Sequence, residues 1–189
     1  MIFSAKTTES RPENEHGETR VTRQHVNIRQ TAIHEAGHAV AAFLLREKIK
    51  YVTIRPTQDS HGHMMHHVVR FARNEMFDDS LRGRDRAERR IMTCFAGQIA
   101  QRKHAPRSRW RLGGSHDHEQ AMELFFHIDP PDQKARELYL ALLWRQTEYL
   151  VEQHWKEIEA VAAALLEEET LSRDRTREVI YGARGVTLK

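Results

Sequence analysis

The sequence predicts a mainly helical domain with one small β-hairpin or sheet edge beside the first helix. Three observations predict the architecture. Apolar residues recur at three- and four-residue steps through several long segments, the spacing that gathers them on one helical face. One short segment, "YVTIRP" (51–56), instead alternates, is rich in β-branched residues and stops at a proline. The 189 residues are 39% hydrophobic and 30% charged, which suits a single polar domain long enough to bury a core.

The elements follow in order. Residues 1–22 are polar, contain Pro12 and Gly17, and read as a flexible tail, leaving 23–189 as the domain. From about Asn27 to about Arg46, the residues Ile28, Ala32, Ala36, Ala39, Val40 and Phe43 form one apolar stripe. Tyr51–Pro56 is a strand, and "HHVVRF" (66–71) is the second strand of the expected hairpin. A second helix runs from about Asp79 to near Lys103, with Ala87, Ile91, Cys94, Phe95 and Ile99 on one face. A loop holding Gly113 and Gly114 follows, and Ser115 or His116 opens a third helix. "DPPD" (129–132) stops it, with Pro131 placed for the first turn of a long helix reaching about Glu168. After a break, Ser172 or Asp174 caps a short last helix.

Composition narrows the function classes. No apolar run approaches the ~20 residues that cross a bilayer, and the first 18 residues lack the apolar core of a leader, so no membrane insertion is expected. Cys94 is the only cysteine; no internal disulfide can form, and a reducing cytoplasm fits. Neither a phosphate-binding loop nor a dinucleotide fingerprint occurs, so this chain is expected to bind no ATP. The net charge of +3 is mild, but arginine clusters at 81–90 and 101–111. Such clusters are solvated surface or a docking face for nucleic acid, another polyanion or an acidic partner. Trp110 among them is a candidate surface contact, whereas Trp144 and Trp155 are expected to pack.

The chemistry sits in "TAIHEAGHAV" (31–40). Residues four apart share a helical face, so His34 and His38 can grip one metal ion. Glu35 is turned about 100° from His34 and so can reach a water on the metal rather than the metal itself. Catalytic zinc takes three protein ligands and lowers the pKa of its water to roughly 7, which a glutamate can then deprotonate. The third ligand must come from elsewhere. "GGSHDHEQAM" (113–122) offers His116, Asp117, His118 and Glu119, and spacing alone does not choose among them.

The segments together resemble the peptidase domain of the FtsH family, membrane-anchored AAA+ zinc proteases. "TAIHEAGHAV" is similar to that family's T-A-x-HEAGH-A-V, and "YVTIRP" to its V-T-I-x-P strand. "FAGQIAQ" (95–101) is similar to x-G-G-R-A-A-E, "GGSHDHEQAM" to T-T-G-A-x-N-D-L-E-x-A-T, and "LLEEETLSRDRTREVI" (165–180) to the closing stretch. The resemblance runs in order from about Asn27 to Ile180 and implies a mainly helical peptidase fold. It implies Asp117 as third zinc ligand, 117 − 38 = 79 residues beyond His38, with Glu35 as the base. It also implies that Val52, Thr53 and Ile54 line the peptide groove and receive an extended substrate by strand addition. Hexameric rings in the family make a homo-oligomer one option; a monomer or smaller assembly is another.

The departures are specific. These 189 residues include no ATPase domain or membrane anchor. Gln98 and Gln101 stand where the family has Arg and Glu, Arg111 to Gly114 replace T-T-G-A, and His118 replaces a leucine. The expectation is a zinc metalloendopeptidase that hydrolyses flexible or unfolded polypeptides, fed by a separate ATPase or regulatory protein where substrates are folded. The alternative is an inactive binding module that meets a polyanion or protein through its arginines. A third reading, metal storage by His61, His63, His66 and His67, requires more than one zinc per chain.

Overall fold

The structure, a computed structural model, describes the backbone of residues 16–27 and, with side chains, residues 28–55, 81–106, 116–126, 128, 130 and 132–186. Among these residues it is mainly helical. Helix α1 spans His16–Leu44 and is followed by strand β1 at Tyr51–Thr53. Next come α2 (Leu81–His104), α3 (His116–Phe126), α4 (Gln133–Gln153) and α5 (Trp155–Glu168). Strand β2 (Thr170–Ser172) and helix α6 (Arg173–Ala183) close the described chain. No helix among the described residues is long and apolar enough to cross a membrane.

Helix α1 lies at the centre, packed between α2 and α5. Every residue from Ala32 to Ala42 is buried, not only those of the expected stripe. The reason is composition: five alanines and Gly37 in that stretch give neighbours a close approach from several sides. Ile91 of α2, Ile158 and Leu165 of α5, Leu171 of β2 and Ile180 of α6 are fully buried in this core. Each contributes about 1.5–3 kcal/mol by leaving water.

Three expectations about elements need correction. Residues 16–22, expected within the tail, are helical and begin α1. No glycine or proline interrupts 18–36, and lengthening an existing helix gains one hydrogen bond per residue fixed. The long helix expected up to Glu168 is two helices, broken at His154 (φ −113, ψ 28). The break lets α4 pack on α2 while α5 packs on α1. Backbone bonds from His154 N to the Leu150 carbonyl and from Ile158 N to the His154 carbonyl, both 3.1 Å, carry the chain through it. Helix α4 also starts later than expected, at Gln133, with Asp132 as its cap accepting from Ala135 N. Asp132 supplies the side-chain acceptor that an exposed first turn needs.

The small sheet is antiparallel, but its second described strand comes from the far end of the chain. Tyr51 faces Ser172, Val52 faces Leu171 and Thr53 faces Thr170. The expected partner at 66–71 lies outside the described residues. Glu169 links the pair: its carbonyl accepts from Ile54 N (2.9 Å), and its carboxylate accepts from Arg55 Nε (2.7 Å). It takes the left-handed conformation (φ 56) that ends α5. Ser172 then caps α6, accepting from Arg175 N at 3.2 Å.

Candidate metal centre

Helices α1 and α2 run in opposite directions where they meet. His34 meets Gln101, Gly37 meets Ala96 and Ala100, and His38 meets Thr93 and Gly97. Glycine is required twice along this contact. A Cβ on Gly37 would lie 2.7 Å from the Ala96 carbonyl oxygen and 2.8 Å from the Ala100 Cβ. A Cβ on Gly97 would clash with the His38 ring, 2.6 Å from Cε1 and closer still to Nε2. Gly97 carries no motif of its own in the sequence; its place in "FAGQIAQ", beside the small Ala96 and Ala100, is the signal that marks a close helix approach.

Both histidines are buried, and Glu35 between them has no exposed surface (0%). Polar side chains in the middle of a central helix cost free energy unless they are paired. Here the outer ring nitrogens are both satisfied. His38 Nδ1 donates to the Thr93 carbonyl at 2.7 Å, and His34 Nδ1 donates to Gln101 Oε1 at 3.0 Å. Those bonds fix the tautomers and leave a lone pair on each Nε2.

The inner atoms converge. His34 Nε2 and His38 Nε2 are 3.0 Å apart, and Asp117 Oδ2 lies 3.0 Å from the first and 3.3 Å from the second. Three acceptor atoms this close repel unless a cation sits among them, either a proton or a metal ion. With metal–ligand bonds of about 2.0–2.2 Å, a tetrahedral site has edges of roughly 3.3–3.6 Å, so the observed spacing fits after an outward shift of a few tenths of an ångström. His34, His38 and Asp117 are the only such metal-holding group found among the described residues.

Electrostatics agree. Burial pulls the His38 imidazole down, but the Asp117 charge and hydrogen bond, then Glu35 and the Thr93 carbonyl, outweigh it and raise the pKa to about 9. Burial pushes the Asp117 carboxyl up, but His38 and His34 hold it well below the usual carboxylate range. The cluster favours positive charge at its centre.

Asp117 reaches the site from the first turn of α3. That helix is held on α2 by Ala121, Leu124 and Phe125, all buried. Of the four donors in its segment only Asp117 joins the histidines. His116 and Glu119 are exposed, and His116 Nε2 lies 3.3 Å from Gln120 Nε2 instead. The Asp117 side chain is 26% exposed against 7% for His34 and 4% for His38, so of the three it is the one partly in contact with solvent.

The other singled-out residues are placed as follows. Val52, Thr53 and Ile54 are buried, with Thr53 Oγ1 2.7 Å from Thr170 Oγ1. Cys94 is buried and its thiol is pushed up to about 12, first by burial, so it packs and does not react. Trp144 packs against Phe95 with ring centroids 5.0 Å apart, and Lys103 stands over the Trp155 ring at 5.1 Å. In the first arginine cluster Arg90 is buried, Arg89 pairs with Asp85, and Arg84 lies 3.9 Å from Glu88. His61, His63, His66, His67, Trp110 and the segment 107–115 lie outside the described residues. Comparison with models of known protein families finds no match for this chain, and comparison with curated proteins finds none.

Proposed function

We propose that this chain is a zinc-dependent metalloendopeptidase with an FtsH-like peptidase fold, acting on flexible or unfolded polypeptides. One observation carries the reading: two imidazole lone pairs and a carboxylate oxygen converge within 4.8 Å, next to the buried Glu35. A zinc ion held by His34, His38 and Asp117 would supply a water of pKa near ~7 and a Lewis acid for the scissile carbonyl. Glu35, adjacent in sequence to His34, takes a proton from the attacking water and returns it to the leaving amine. The edge of β1 away from β2 is the backbone surface on which such a chain would add, with Val52, Thr53 and Ile54 setting its position. A separate ATPase is the partner that would extend this activity to folded substrates, and a reducing cytoplasm is the compartment the reading assigns.

The test is hydrolysis of unfolded casein by the chain after zinc is restored. Cleavage that chelation stops and that Glu35→Gln abolishes supports the proposal. A fully metallated chain that cuts no peptide overturns it.

A further inference from the structure

Thr93, Gly97 and Gln101 stand at successive four-residue steps on α2, so they form one stripe toward the histidines of α1. The stripe holds the two rings by different means. His38 Nδ1 is held by a backbone carbonyl, that of Thr93, which no side-chain substitution removes. His34 Nδ1 is held by a side chain, Gln101 Oε1, at 3.0 Å. An amide oxygen orients a ring and fixes its tautomer without adding charge. A carboxylate in its place would also draw on the Nδ1 proton and make the inner nitrogen a stronger donor to a metal. Asp117 is the only carboxylate in the group of three.

We propose that Gln101 is a positioning residue that holds His34 in its metal-binding tautomer and, by being neutral, sets the affinity of the site for a divalent cation below the value a carboxylate would give. This rests on the metal-site part of the proposed function and not on proteolysis. A purely structural role for Gln101 at the end of α2 runs through its backbone, whose carbonyl accepts from Ala105 N at 2.9 Å, and side-chain changes leave that bond in place.

The experiment titrates zinc into metal-free protein against a competing chromophoric chelator, for the unaltered chain, Gln101→Met and Gln101→Glu. Thermal unfolding of each metal-free form is followed in parallel. Met keeps the length and removes the acceptor, so affinity falls about 10- to 100-fold. Glu keeps the acceptor and adds charge, so affinity rises above that of the unaltered chain. The opposite directions of the two shifts separate positioning from general damage, which would weaken both. Equal zinc affinity in all three overturns the inference while leaving the metal site standing. Absence of zinc binding by the unaltered chain overturns both together.

Discussion

The Cβ that Gly97 lacks would overlap the ring of His38, 2.6 Å from Cε1 and 2.7 Å from Cδ2. The Nε2 edge of His38 therefore occupies the space that a glycine on the neighbouring helix leaves open. Adding one methyl group at 97 should push the ring away from His34 and Asp117. Gly97→Ala is expected to lose stoichiometric zinc, read by metal analysis, and to lose about 1–3 kcal/mol of stability through overpacking. Gly182→Ala is the control. Nothing lies within 4 Å of a Cβ there, so metal content should not change.

Glu35 lies beside the metal-holding group and is not a member of it. Glu35→Gln should therefore retain zinc at the level of the unaltered chain while peptide hydrolysis falls about 10²–10⁴-fold, the range of a lost general base. Loss of zinc along with activity would show that Glu35 is a ligand or a scaffold, which contradicts the assignment.

The metal-free chain should depend on pH in a defined sense. The His38 pKa is raised from 6.5 to about 9, so its contribution is fully present below pH 6.5 and is lost as pH rises through about 9. Asp117 is depressed, so its contribution is present above its ordinary 3.8 and is lost as pH falls below that. In the presence of a chelator, the thermal midpoint should fall between pH 6.5 and 9. Asp117→Asn should flatten that slope, because Asp117 is the main group raising His38. A slope unchanged by the substitution would count against the pairing.

The bend between α4 and α5 also has a chemical fastening. Glu157 is buried and accepts from His154 Nδ1 at 2.9 Å and from Arg184 Nε at 3.0 Å. Arg184 continues over the Phe43 ring, 5.7 Å from its centroid, and so ties the bend to α1 and the end of α6. Glu157→Ala should cost about 1–3 kcal/mol, because it leaves two partly buried donors without their acceptor. Arg184→Ala in the same background should then add little, a non-additivity that chemical denaturation of the double variant measures.

Local periodicity made most of the helices readable from the sequence. The stripe ending at Phe43, the stripe around Ile91 and Ile99, and the cap at Ser172 all reflect interactions within a turn or two. What escaped depends on distant partners. Strand β2 is three residues long, too short for alternation to register, and its partner Val52 is 171 − 52 = 119 residues away from Leu171. His154 carries no proline or glycine to announce a break; the break answers to α1 and α2, which pull the two halves toward different faces. At the site, His34 and His38 were readable because they share one helix. Asp117 is one of four candidates by residue type; spacing does not separate it from His116, His118 and Glu119, the family resemblance points to it, and the docking of α3 on α2 brings it to the histidines. Gly97 carries a local signal in the small Ala96 and Ala100 beside it, whereas Gln101 acts through α1–α2 proximity, which its own residue type does not reveal.

Diffraction from crystals of the zinc-loaded chain, collected on both sides of the zinc absorption edge, tests the central claim most directly. The account predicts one anomalous peak per chain, bonded at about 2.0–2.2 Å to His34 Nε2, His38 Nε2 and Asp117 Oδ2, with a fourth position not filled by protein. A peak bound elsewhere, or one with Glu35 or a further side chain closing the fourth position, would contradict it.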